Sequence, residues 1–325
     1  YDQFMPSTLG LNTPGPVQPK NTINALFRHH HAFRPFSWLP IPERMFIAFF
    51  LYTAAFSLFV QPIATKGPRP VFLLALVCVY VIAAEALCRR WPLLRKPFAY
   101  LRFGVVFAAY REMDWFTPVA KARNLENAWV VWDRSILGWL RPAIESTGVL
   151  LPGYFELCYA FVYGIGVFCV AALFLMDHDS VVDRWTSMYL AATLSTYALF
   201  PFFPSDPPRV VFPGMDTPTV TTVFRQFNLY LVGGYGIHSS VFPSAHVSSA
   251  LAAGLGLLWV LPHRKAWGWG VIAYALSVAV ATVYGRYHYA ADAVAGIGMA
   301  LAVAAIFRYW LRGAESGLDF SSMRI

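Results

Sequence analysis

Apolar residues in this chain come in long unbroken runs separated by short polar breaks, not in the alternation of a strand or the stripe of a soluble helix. Nearly charge-free segments cover Met45 to Ala64, Val71 to Cys88, Tyr154 to Met176, Trp185 to Phe203, Val247 to Leu261, Trp267 to Tyr284, and the stretch from Tyr289 to Trp310. Runs of about 17–25 such residues are what a helix needs to cross a hydrocarbon layer. A shorter run, Phe98 to Tyr110, contains Arg102 and leaves open whether it spans, tilts or re-enters. Arg111 to Pro152 is amphipathic and carries Trp115, Trp129, Trp132 and Trp139, the pattern of helices lying at a membrane interface. The pattern predicts an all-α, polytopic membrane helix bundle of about 7–8 spans.

The breaks divide the chain. Residues 1–40 form a polar, proline-rich arm without the basic start and apolar core of a signal peptide. Its His29-His30-His31 triplet has no other ligand types nearby and reads as a solvated or headgroup-facing patch. Residues 41–153 hold the first membrane and interfacial helices, 154–312 a second membrane domain, and 313–325 a short polar tail. Pro204 to Pro243 is a polar connection containing Gly233-Gly234-Tyr235-Gly236, and loops this long are uncommon unless functional or disordered.

Composition agrees with the pattern. The 325 residues are 58% hydrophobic and 13% charged, against about 25% charged in soluble chains. The net charge of +8 does not form a basic face for nucleic acid. The cations sit in short loops and at segment ends, as the positive-inside bias requires. His263-Arg264-Lys265 and the tail arginines Arg308, Arg312 and Arg324 mark one side as cytoplasmic. Cys78, Cys88, Cys158 and Cys169 lie in or beside apolar segments without CxxC spacing, which suits packing rather than disulfides or metal.

The chemistry concentrates in Phe242 to Gly296. A helical hairpin there would bring His246, Arg286, His288 and Asp292 to one membrane face, opposite the basic turn. His288 and Asp292, at i and i+4, share a helix face. A carboxylate so placed fixes the imidazole tautomer and frees the other ring nitrogen as a nucleophile, although a structural pair capping a helix start has the same spacing. Pro243-Ser244 before a helix is an N-terminus signal that favours an anion. Ser244 suits either a cap or a phosphate donor, and His246 in the first turn suits protonation of a leaving group. Arg209, after the Trp185 to Phe203 run, reads as an interfacial anchor alone and as a phosphate ligand beside the histidines. Glu85, Glu156, Asp206 and His238 are weaker candidates.

Pro243-Ser244-x-His246 and His288-x-x-x-Asp292, joined by one hairpin, resemble two motifs of the type 2 phosphatidic acid phosphatase superfamily. Gly285-Arg-Tyr-His-Tyr-Ala-Ala-Asp-Ala-Val-Ala-Gly296 and Phe203-Pro-Ser-Asp-Pro-Pro-Arg209 look most like the branch of inositol phosphorylceramide synthases and their bacterial relatives. The resemblance implies a six-helix catalytic core with extra N-terminal helices. It makes His288 the nucleophile of a phosphohistidine, Asp292 its orienting carboxylate, and His246 the general acid. It assigns Arg209, Arg286 and Ser244 to phosphate, with neither metal nor cofactor. The donor would be a phospholipid or prenyl phosphate, and the acceptor a lipid or sugar hydroxyl, giving a phosphoinositol-type transferase, or water, giving a lipid phosphatase. The site would face the non-cytoplasmic side. Two departures stand out: Thr282 occupies the position of the family's motif arginine, and the usual Lys-x6-Arg-Pro is missing near Arg209, although Arg134 to Pro142 imitates it. A transporter using the same residues as a proton relay is the reading from another class.

Overall fold

The computed structural model describes residues 38–59, 69–118 and 120–317, with side chains to Tyr309. The His29-His30-His31 triplet and the tail beyond Gly317 lie outside the described residues. Every regular element among the described residues is helical. In chain order the helices are α1 (Ile41–Phe59), α2 (Arg69–Arg90), α3 (Arg95–Glu112), α4 (Asn124–Glu145), α5 (Leu150–Phe161), α6 (Ile165–Leu175), α7 (Val182–Leu199), the single turn α8 (Pro208–Val211), α9 (Val223–Tyr235), α10 (Ala245–Val260), α11 (Lys265–Tyr284) and α12 (Ala290–Gly317).

Helix α10 is the hub, packed against α7, α11 and α12. Its core positions are small: Ala250, Ala252, Ala253, Gly254 and Gly256 are all buried. Small residues let helix backbones approach closely where lipid offers no hydrophobic drive between helices. A Cβ at Gly254 would lie 2.7 Å from Ile272 Cγ1 and 2.9 Å from the Ile272 backbone nitrogen on α11. On the α7 side, the fully buried Trp185 donates from its indole nitrogen to the Ala253 carbonyl at 3.0 Å.

Five helical stretches are long and apolar enough to cross a membrane: Ile41–Phe59, Arg69–Arg90, Leu150–Leu175, Lys265–Tyr284 and Ala290–Tyr309. The runs expected over 185–203 and 247–261 are helices α7 and α10, the second of only 16 residues. Protein rather than lipid covers most of both, so neither needs the length of a lipid-exposed span. The run Phe98 to Tyr110 lies within helix α3, which is not among these five. At its start Lys96 pairs with Asp179 at 2.9 Å, and near its end Arg111 donates to the Tyr235 carbonyl at 3.0 Å, beside the histidine motifs. It therefore runs the length of the bundle. Arg102 within it is buried and paired with Glu43 at 2.8 Å and Asp183 at 2.6 Å, which satisfies an intramembrane charge inside protein.

The connection from Pro204 to Pro243 is not structureless. Thr222 caps α9 by accepting from the Arg225 backbone nitrogen at 3.1 Å. One face of α9 sends Arg225 and Asn228 inward, whereas Val223, Phe227 and Tyr230 stay exposed. A single amphipathic helix hidden in a polar stretch lacks the apolar length that marks a span.

The hub makes a direct prediction. Gly254→Val drives methyl groups into the Ile272 backbone and should cost about 1–3 kcal/mol through overpacking. Gly270→Val, where no atom lies within 4 Å, should be near neutral. Thermal unfolding of the purified variants in detergent checks both.

Candidate active site

The site is built on the five-residue turn between α11 and α12. Helix α11 ends when Arg286 adopts a left-handed conformation, φ 61°. The Tyr287 nitrogen then bonds the Thr282 carbonyl at 2.9 Å and the Arg286 nitrogen bonds the Val283 carbonyl at 3.1 Å. This is the Schellman pattern, with arginine where glycine is usual. An L residue pays about 1–2 kcal/mol for that conformation, so something must hold it there. Arg286 is fully buried and its guanidinium pairs with the equally buried Asp133 of α4. The other Asp133 oxygen accepts from the Ala290 nitrogen at 2.8 Å, at the first turn of α12. One carboxylate therefore holds both ends of the turn.

Between those ends sits His288, whose backbone nitrogen also bonds the Thr282 carbonyl, at 3.0 Å. Its Nδ1 faces two acceptors, the Val241 carbonyl at 3.0 Å and Asp292 Oδ2 at 3.2 Å. Two acceptors on one nitrogen put the proton there and leave the Nε2 lone pair free in the neutral ring. Nε2 points at His246 Nδ1, 3.3 Å away. Asp292 is fully buried, and its Oδ2 also accepts from the Tyr289 nitrogen at 2.9 Å. That is the reach-back of a capping box. The structural and the orienting readings of the His–Asp pair thus describe the same carboxylate. His288 lies between the spans, and burial, followed by the positive field of Arg209, pushes its pKa down to about 3.

The pocket beside the histidines measures about 50 Å³ and is lined by Tyr110, Tyr159, Tyr163, Arg209, Tyr287 and Ala245 among others. At roughly 15 Å³ of such space per water, this is room for three or four oxygens. Arg209 lies over the Tyr287 ring, 5.6 Å from its centroid, and its backbone nitrogen bonds the Arg286 carbonyl at 3.3 Å. Tyr287 stacks on Tyr159 at 3.9 Å and donates its hydroxyl to Glu156 at 2.7 Å. Glu156, itself buried, also accepts from Arg225 at 2.8 Å and Asn228 at 2.7 Å. Helix α9 is thereby tied to the platform under Arg209.

The structure thus brings together His246, His288, Asp292 and Arg209. It places Arg286 elsewhere: the side chain is sealed against Asp133 and lines no part of the pocket. Ser244 is buried and serves as the α10 cap, its hydroxyl accepting from Val247, while its nitrogen bonds the Asp292 carbonyl at 2.9 Å. Thr282 turns its hydroxyl to the Ala279 carbonyl. Arg134 approaches Asp216 and Arg141 donates to the Thr217 carbonyl, both apart from the histidines. Asp206 is held by Lys121 and Arg123, and His238 by Asp114. Glu85 pairs with Arg89 on α2. Sequence reasoning gave Asp133 no role in the site beyond a weak echo of the family at Asp133 to Gly138, and undervalued Glu156; the available signal was an acidic residue on the buried face of an amphipathic helix. Among the described residues no group of three or more histidine, cysteine or carboxylate side chains is set to hold a metal ion.

A family model described as the PAP2 superfamily matches residues 130–306. The chain belongs to the PAP2 superfamily. The match spans α4 to α12, so it includes Asp133 together with both histidines. Neither the curated proteins nor the solved structures provide a match. PAP2 membership and the five apolar helices make this an integral membrane protein with phosphatase- or phosphotransferase-type chemistry on lipid phosphates.

Removing Asp133 would strand Arg286 in a buried site and leave the Ala290 nitrogen unpaired. Asp133→Ala should therefore lose about 3–5 kcal/mol, read as a fall in unfolding temperature, whereas Arg134→Ala at the next, exposed position should barely shift it.

Proposed function

We propose that this PAP2 protein transfers a phosphorus group from a membrane lipid through a phosphohistidine on His288. The single observation that carries the reading is the ring geometry of His288: Nδ1 committed to Asp292 and Val241, Nε2 unprotonated and facing His246 Nδ1 at 3.3 Å beside Arg209. The Nε2 lone pair attacks phosphorus, and the phosphorus–oxygen bond to the leaving group breaks. His246, protonated once the anionic donor sits beside it, delivers that proton to the departing oxygen and is left neutral. Arg209 neutralises charge on the equatorial oxygens, and Asp292 stabilises the charge that His288 gains. An acceptor hydroxyl then gives its proton to His246 and attacks phosphorus, and His288 leaves.

The 3.3 Å contact between the histidines must open for phosphorus to enter between them. We assign the acceptor to a lipid or sugar hydroxyl and the transferred group to a phosphoinositol-type headgroup, on the strength of the motif resemblance. The small pocket supports a second reading, in which a bare phosphoryl group passes to water. The proposed orientation puts this site on the non-cytoplasmic side, because Arg89, Arg90, Lys96, Arg264 and Lys265 gather at the other end of the bundle.

Incubation of the purified protein with phospholipids and prenyl phosphates, with products read by mass spectrometry, separates these readings. A new phospho-headgroup on a second lipid supports the transferase, and free phosphate supports the phosphatase. No product from any donor rejects the enzyme in favour of a transporter, and an unchanged product with His288→Ala removes His288 as the nucleophile. The pH profile gives a further prediction. A depressed His288 pKa keeps the ring neutral down to acidic pH, so the rate falls only at the acid extreme on its account. Arg209→Gln removes one cause of the depression. The acid limb should then move to higher pH, with kcat/KM down roughly 10²–10³-fold from lost charge stabilisation.

A further inference from the structure

The end of the bundle away from the histidines carries a groove of about 410 Å³. Its walls come from the last turns of α10, the first turns of α7 and α11, and the end of the apolar span of α12: Met188, Leu258, Trp259, Trp269 and Phe307. Trp259 and Phe307 meet edge to face, with centroids 5.7 Å apart. At its rim stand three cations. Lys265 and Arg308 line the groove, and Arg184 lies over the Trp259 ring at 4.7 Å. Among the described residues none of the three has a carboxylate partner, and no acidic side chain lines the groove.

An apolar trough with a wet, purely cationic rim suits an amphiphile with an anionic head and a hydrocarbon tail. Helices α7, α10 and α11 start or stop here, and the apolar span of α12 ends at Tyr309, one residue past Arg308, so the cations sit at headgroup depth and the trough runs toward the hydrocarbon. Basic pockets between membrane helices attract anionic lipid headgroups on these terms. A free phosphate would leave the aromatic walls uncovered. A soluble peptide would have to displace the lipid that a bundle end meets anyway. We propose that this groove binds one anionic phospholipid of the adjoining leaflet, its phosphate between Lys265 and Arg308 and an acyl chain against Trp259 and Phe307. The site is distinct from the phosphate pocket at His288, and it does not depend on the reaction proposed there.

Native mass spectrometry of the full chain in detergent, titrated with phosphatidylglycerol or phosphatidylcholine, tests this. The wild type should retain one phosphatidylglycerol and little phosphatidylcholine. Lys265→Gln/Arg308→Gln should bind phosphatidylglycerol roughly thirtyfold more weakly, the worth of two interfacial cations. Ala304→Phe, which fills the trough without touching charge, should weaken it as well. Both variants should keep wild-type unfolding temperature and lipid-phosphate activity. Equal retention of the two lipids overturns the proposal, as does unaltered binding by the double variant. Normal binding by Ala304→Phe would reduce the site to diffuse charge attraction, and a dimer mass without lipid would give the groove to a second copy; either result overturns the proposal too.

Discussion

Everything at the candidate active site depends on one buried ion pair, Asp133 with Arg286. The turn carrying His288 is short, polar and enclosed, so each of its backbone groups needs a partner inside protein. Asp133 holds Arg286 in a conformation that an L residue resists, and its second oxygen captures the first amide of α12. With both ends fixed, the Thr282 carbonyl takes the amides of Tyr287 and His288, and Asp292 takes that of Tyr289. The imidazole has little freedom left. A buried pair of this kind is weak evidence for stability, since desolvation offsets most of its attraction. Its value here is positional.

The second constraint is close packing. Helix α10 can carry His246 to within bonding distance of His288 only because small residues let it approach α11 and α12. Gly296 shows the limit: a Cβ there would lie 2.6 Å from the Ser244 carbonyl oxygen. The histidine of one motif and the carboxylate of the other are therefore locked through backbone contact, with the Ser244 amide on the Asp292 carbonyl. The Glu156 cluster extends the same rigidity to Tyr287 and to α9, beneath Arg209.

Much of this was legible in the sequence. Long apolar runs declared the helices, and motif spacing brought His246, His288 and Asp292 to one end of a hairpin. The pairing of Arg102 with Glu43 and Asp183 was not legible, because it joins residues far apart in sequence. The same reason hid Asp133. From spacing, Arg286 two residues before a nucleophile looks like a phosphate ligand; only the left-handed backbone turns it away from the pocket and into α4. Ser244 was read with two roles open, and its place at the start of α10 uses the hydroxyl as a cap. Helix α9 escaped notice because its inward face is polar and is satisfied by Glu156.

In the proposed reaction His288 Nε2 forms a covalent bond to phosphorus. The direct measurement is rapid acid-free denaturation of protein turning over a phosphorus-labelled lipid phosphate, followed by peptide mapping. The expected result is one labelled peptide carrying the label on His288, stable to base, lost in acid and absent from His288→Ala. Label on His246 instead, or turnover with no protein-bound phosphorus at any time, would contradict it.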